Sequence, residues 1–334
     1  MSVVHFLNVK EGDCSIINHV SGHISVIDVS NAREECTEEV NISAMVKALF
    51  EAREAGSGNF NQKVYPVNPI EYMKSFGIIS IFRFILTHPD MDHMDGIKDL
   101  FEEFSPINFH DTDNKKEIEF DENSVYREED WNFYKKLRDS NPRENPRRLT
   151  TFSNADIKYL TRDEYGNLPG DALYILSPTI ELVEEANRTG DFNDCSYVIL
   201  HKSPYGNVLF SGDAHNKVWD YVVSKHEKDI KNIDLLIAPH HGRKSDRDYS
   251  FLDVVNPKMT FFGNAPAEDL AYSAWSYRNL PYITNNQAGC MIVDMSNINM
   301  PIYVTNKKFA EQQNLLTIFN DKFKAWFFKN IKQR

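Results

Sequence analysis

The chain lacks an excess of positive charge, paired cysteines and any long apolar run. Its 334 residues carry 37 Lys and Arg against 49 Asp and Glu, a net charge of −12. A non-specific nucleic-acid binder usually presents a basic face, so this balance counts against a large electrostatic footprint. Two local exceptions are "NPRENPRRL" (141–149) and "HGRKSDR" (241–247). The four cysteines, Cys14, Cys36, Cys195 and Cys290, show no paired spacing. That argues against a disulfide framework or a cysteine-based zinc knuckle and fits a reducing compartment. No run reaches the ~18 apolar residues of a membrane helix. No basic stretch followed by an apolar one opens the chain, so no signal peptide is expected. These absences predict a soluble, cytoplasmic protein, with no internal repeat and no long linker.

What is present is an alternation of short apolar runs and amphipathic stretches. "VVHFLNV", "CSIINHV" and "HISVIDV" read as three strands, punctuated by Gly12 and by Ser21-Gly22. "TEEVNISAMVKALFEAREAG" has helical spacing, and a loop "GSGNFNQ" and a short helix after Pro69 follow. "IFRFILTH" predicts a strand and "GIKDLFEEF" a helix. Residues 105–170 are charged and rich in Asn and Pro, and read as a lid or substrate-facing insertion with one helix, "REEDWNFYKKLRD". Trp131, Tyr134 and Leu137 give that helix a packing stripe. Strands return in "ALYILSP", "SYVILHKS", "NVLFSGD", "IDLLIAPHH" and "MTFFG", and "PYGN" predicts a hairpin. "AHNKVWDYVVSKHE" predicts a helix between them. "PYITNN" with "GCMIVDM" predicts another hairpin. The tail "LLTIFNDKFKAWFFKNIKQR" predicts an amphipathic helix with Leu316, Phe319, Phe323, Trp326 and Phe327 on one side, packing on the domain or on a second copy.

Chemistry concentrates in "THPDMDHMDG" (87–96), which holds His88, Asp90, Asp92, His93 and Asp95 at the end of a strand. Ligands gather at the carboxyl ends of strands in layered α/β folds. Three carboxylates and two imidazoles in one turn repel or desolvate one another unless a cation sits among them. The spacing aims ligands at two neighbouring sites, as a two-metal centre with ions ~3.5–4 Å apart requires. Two further strands end in the same chemistry: "LFSGDA" offers Asp213, where a bridging carboxylate fits, and "LLIAPHHG" offers His240 and His241. His5 and His110 read as ordinary structural residues.

This order of motifs resembles the metallo-β-lactamase superfamily, most nearly the β-lactamase-like domain of ComEC-type DNA-uptake proteins and their soluble relatives. The similar segments are "LNVKEGDCSII" with Gly12 and Asp13, "THPDMDHMDGI", "FNDCSYVIL", "VLFSGDA", "IAPHHGRKSD" and "YITNNQAGCMIVD". The resemblance implies an α/β fold, the four-layer αβ/βα sandwich, over residues 1–300, with a charged insertion at about 105–170 and a C-terminal strand and helix over 301–334. It implies that His88 and Asp90 hold a first metal, Asp92 and His93 a second, that Asp213 bridges and that His240 completes the second site. His241 is the alternative ligand or a phosphate contact. Asp90 stands where most of the superfamily has a histidine. Asn193 and Asp194 stand where most have another, and are candidates for metal or substrate. An oxygen-rich set moves preference from Zn2+ towards Mn2+ or Mg2+, with His93 and His240 keeping zinc in play. Within the ComEC group the chain departs again, with Arg243 at a serine position and no late histidine in "APAEDLAYSAW".

The expected activity is metal-dependent hydrolysis of a phosphodiester, in DNA or a nucleotide, with Asp92 orienting the attacking water. Arg243, Lys244 and Arg247 are candidate phosphate contacts, since guanidinium matches phosphate in two prongs. Two other readings stand: a metallo-hydrolase of a small ester, lactone or thioester, and a non-catalytic subunit assembling with a partner or a second copy through the tail helix.

Overall fold

The computed structural model describes residues 2–33, 60–245 and 247–332. The helix expected at "TEEVNISAMVKALFEAREAG" and the start of the "GSGNFNQ" loop lie outside the described residues. The amino-terminal half builds six strands, β1 (Val3–Phe6), β2 (Ser15–Asn18), β3 (Ile24–Ile27), β4 (Arg83–Ile85), β5 (Asn108–Asp111) and β6 (Arg147–Thr150). The next six are β7 (Leu173–Ser177), β8 (Val198–Ser203), β9 (Gly206–Phe210), β10 (Leu235–Ile237), β11 (Met259–Phe262) and β12 (Tyr282–Thr284). They form a second sheet in the order β12-β11-β10-β9-β8-β7. The chain then returns to the first sheet through β13 (Met291–Asp294), β14 (Pro301–Val304), β15 (Phe319–Asn320) and β16 (Ala325–Asn330), giving the order β15-β16-β14-β13-β1-β2-β3-β4-β5-β6.

Alternation along the strands sorts side chains into layers. Val4, Phe6, Ile17, Ile27 and Ile85 of the first sheet meet Ile199, Val208, Phe210, Leu235 and Ile237 of the second in one buried core. The opposite face of the first sheet, with Ile16, Val26 and Phe84, is covered by the helices Pro69–Ser75, Ile97–Phe104 and Glu128–Arg138. Helices Asn216–Ile230, Phe251–Val255 and Tyr272–Tyr277 cover the outer face of the second. The result is the expected four-layer αβ/βα sandwich. Trp131, Tyr134 and Leu137 are buried against the first sheet.

Two expectations are corrected. β12 and β13 are not a hairpin: β12 pairs with β11 and β13 with β1. Thr284 and Gln287 form a capping box on the short helix Asn285–Ala288, which turns the chain from one sheet to the other. The tail is not a helix but a hairpin, with β16 between β15 and β14. Aromatic residues favour a pleated surface, and Asn320 accepts from the backbone of Lys322 and Phe323 to fix the turn. The expected stripe therefore splits, Phe323 buried and Leu316 exposed. Residues 105–170 supply β5, β6 and a helix of the outer layer.

One buried ion pair ties the two sheets at the end remote from the "THPDMDHMDG" turn. Arg83, on β4, donates to Asp171 just before β7 at 2.5 Å, to Ser25 at 2.8 Å and to the Tyr159 carbonyl at 2.6 Å. Both side chains of the pair are almost fully enclosed. Burial pushes the Asp171 carboxyl up, but Arg83 and its neighbours outweigh this and hold it below its usual range. Removing one partner strands a buried charge, so Asp171→Ala should cost about 3–5 kcal/mol in denaturant unfolding; a loss within experimental error would contradict this. The pair's stabilisation should be present at neutral pH. It should fade in acid as pH falls below the unfolded-state value of 3.8 and through the lower folded value.

Candidate metal centre

Strands β4, β9 and β10 end at the same edge of the sandwich, and their carboxyl ends meet around Asp213. Two glycines let the backbones close in. Gly12 lies at φ +92, and a Cβ there would sit 1.8 Å from the Asp92 carbonyl oxygen. Gly212 lies at φ +46 against the Thr87 side chain. Larger residues at either position would be strained and would push the ligand loops apart.

Asp213 is the hub. Its Oδ1 lies 3.2 Å from His93 Nε2, and its Oδ2 lies 3.7 Å from His88 Nε2, 3.6 Å from His240 Nε2 and 4.0 Å from His241 Nε2. His241 Nε2 is also 3.2 Å from Asp92 Oδ2. Among the described residues, two groups at this hub could each hold a divalent ion: His88, His93 and Asp213, and Asp92, His93 and His241, with ligand atoms within 4.8 Å of one another in each. His88 Nε2, His93 Nε2 and Asp213 Oδ1 are buried without a hydrogen-bond partner. Buried polar atoms are rarely left so. Orphaned imidazole and carboxylate atoms converging on one point fit a divalent cation.

A second layer aims the rings. Asp28 bonds His93 Nδ1 at 2.8 Å, Thr87 Oγ1 bonds His88 Nδ1 at 3.0 Å, and Asp13 lies 2.9 Å from His241 Nδ1. Each contact fixes a ring with Nε2 inward, as outer-shell partners of metal-binding histidines do. Asp28 itself is held by the backbone and hydroxyl of Thr87, both at 2.7 Å.

The electrostatics are those of a cluster with its charges crowded together. Burial lowers His93, but Asp213, Asp28 and Asp92 outweigh it and raise the ring well above its usual range. His241 is likewise lowered by burial yet raised to about 10 by Asp13, Asp213 and Asp92. Burial lowers His88, and lowers His240 to about 4. Burial raises Asp213 and Asp92, and the surrounding histidines reverse this and hold both carboxyls below their ordinary values.

The structure does not bring all the expected residues to the hub. Asp90 contacts Lys116 and lies 3.7 Å from His88 Nε2. Asn193 bonds His215 at 3.2 Å, and Asp194 pairs with Lys217 at 3.1 Å; Asp194, Asp191 and His215 form a separate group. His240 and His241 do not point to opposite faces as strand alternation predicts, because β10 ends at Ile237 and both residues lie in a tight turn at positive φ. Arg247 is buried, donating to the carbonyls of Asp213 and Ala214 at 2.6 and 2.9 Å, so it pins the Asp213 loop from behind. Lys244 Nζ donates to the Glu268 carbonyl at 2.9 Å, and Arg243 lies 3.9 Å from Asp269. Asp28 and Lys116 escaped the sequence reading. Asp28 had a signal, a lone carboxylate closing the apolar strand "HISVIDV"; Lys116 had none.

The chain matches no family model and no curated protein. It is similar in structure to a metal-dependent hydrolase of the β-lactamase superfamily, with 11% identity over 85% of this chain and 96% of the other and a TM-score of 0.46. It is similar to a diphosphatase of the PhnP family at 11% identity, 84% and 94% coverage and a TM-score of 0.40. A long-form RNase Z from yeast gives 11% identity, a TM-score of 0.37, and covers 88% of this chain but 42% of its own.

Asp28→Asn should weaken metal binding by about 10–100-fold, read by equilibrium titration; unchanged affinity would remove Asp28 from the site's support. Ligation requires neutral imidazoles, and His93 and His241 hold protons without the ion. Metal affinity should therefore rise with pH between about 6 and 8, by up to about tenfold per unit for each proton released. Calorimetry in buffers of different ionisation enthalpy counts those protons, and a pH-independent affinity would contradict the charge assignment.

Proposed function

We propose that this chain is a metal-dependent hydrolase of phosphodiesters in DNA or nucleotides. The observation that carries the reading is the pair of three-residue ligand groups sharing His93 around the Asp213 hub. The order of motifs described above supports it independently.

His88, His93, Asp213, Asp92 and His241 would hold one or two ions, with Mn2+ favoured by the carboxylates and Zn2+ by the imidazoles. A divalent ion supplies Lewis acidity and makes water a better nucleophile at neutral pH. Asp92, ionised and partly open to solvent, accepts the proton of the attacking water at its carboxylate. His241 Nε2 lies 3.2 Å from Asp92 Oδ2, so the two groups would face the same ion, with Asp13 beside Nδ1 aiming the ring. His240, neutral at pH 7, stands at the solvent side of Asp213, where it would hold the metal or contact the leaving group. Lys116 balances Asp90 at the rim, and its ammonium also lies 5.5 Å from the centre of the Phe192 ring. Arg247 keeps the Asp213 carbonyl loop from moving.

The test is hydrolysis of a chromogenic diester and of single- and double-stranded DNA with Mn2+, Mg2+ or Zn2+ supplied in turn. Wild type should turn over in at least one metal, and Asp92→Ala should lose at least about a hundredfold in kcat, the scale of a lost proton-transfer group. A filled metal site with no turnover of any diester would overturn the proposal.

A further inference from the structure

The metal centre has a neighbour that the proposed reaction does not yet use. A cavity of about 550 Å³ lies beside it, with Lys10, Glu11, Arg33, Lys63, Asp95 and Tyr126 in its lining. It shares a wall with the site. The Lys10–Gly12 turn borders the cavity on one side, and Gly12 closes on the Asp92 carbonyl on the other. Gly263, one residue before Asn264, abuts Asp13 and His241. The Tyr126 hydroxyl is raised first by burial and then by the charges of Asp92 and Glu11, which places it within the field of the ligand cluster.

The lining has two characters. Val64, Val125, Tyr126, Ala265 and Pro266 make an apolar and aromatic flank. Three cations face two carboxylates, and one pair is already spent: Arg33 is bound to Asp95 and to the Val125 carbonyl. Lys10 and Lys63, both exposed, remain against Glu11. The excess is one positive charge, which matches a phosphodiester, singly charged, better than a monoester. The volume falls in the ~300–1,000 Å³ range of small-molecule sites. A polynucleotide needs a long basic groove with successive stacking platforms, whereas here Tyr126 is the one aromatic among the described lining residues.

We infer that this cavity binds the substrate as a nucleotide-sized phosphodiester with one flat heterocycle, packed along Tyr126, with Lys10 and Lys63 drawing in its single negative charge. This deepens the phosphodiesterase reading and rests on it for the reaction, though not for the binding.

The probe is a slowly hydrolysed adenosine 3′,5′-cyclic phosphorothioate, titrated calorimetrically into the metal-supplied full chain. Dimethyl phosphate, with the same charge and no ring, and a short single-stranded DNA serve as comparisons. The cyclic analogue should bind wild type. It should weaken at least about tenfold in Lys10→Gln/Lys63→Gln, where two charged contacts are lost, and at least about fivefold in Tyr126→Ala, the lower end of a lost stacking contact. Both lysines are exposed, so the double variant should melt like wild type. The inference is overturned if the analogue fails to bind wild type, if the double variant binds within twofold of it, or if dimethyl phosphate or the DNA binds as tightly. Chromogenic-diester turnover separates the two claims. Binding without turnover retains the cavity and removes the phosphodiesterase reading, and turnover without the lysine effect does the reverse.

Discussion

Everything at the functional edge follows from burying Asp213 among histidines. An ionised carboxylate removed from water is costly unless opposite charge surrounds it. Here the compensation comes from rings delivered by separate strand ends: His88 and His93 after β4, and His240 and His241 after β10. The two sheets must therefore keep their registers, or the hub loses its partners. Arg83–Asp171 holds the same two sheets at the other end of β4, so one strand carries a structural pair at its start and a functional cluster at its finish.

His93 is raised by the crowding of Asp213, Asp28 and Asp92 around it, and His241 by Asp13, Asp213 and Asp92. The carboxylates that raise these rings also draw a cation to the same point. The same crowding that stabilises a protonated ring prepares a site for an ion, since a divalent charge replaces two protons at one point. Charge also organises the rim: Lys116 meets Asp90 there, and Lys10 and Lys63 stand at the mouth of the neighbouring cavity. An acidic chain can in this way present local positive charge beside the ligand cluster without a basic face.

Much of this was legible in the residues. The short apolar runs ending in "THPD", "SGD" and "PHH" placed the strands and their polar ends, because alternation and turn residues are local signals. What failed was non-local. The tail residues Phe319 to Phe327 suit a helical stripe as well as a hairpin, and only pairing with β14 decides between them. "PYITNN" and "GCMIVDM" are adjacent in sequence, yet a four-residue helix sends them to different sheets. Arg247 looked like a phosphate contact because arginine suits that role, but its donors face carbonyls inside the Asp213 loop. Asp28 and Lys116 reach the site from strand and loop positions with no spacing rule linking them to "HPDMDH".

The most direct measurement is anomalous X-ray diffraction from crystals of the chain grown with Mn2+. The account predicts an ion bound by Asp213 and by Nε2 of His93 with His88 or His241, at metal–ligand distances of about 2.0–2.3 Å. An ion held instead by Asp191, Asp194 and His215, or none at all at the Asp213 hub under saturating metal, would contradict it.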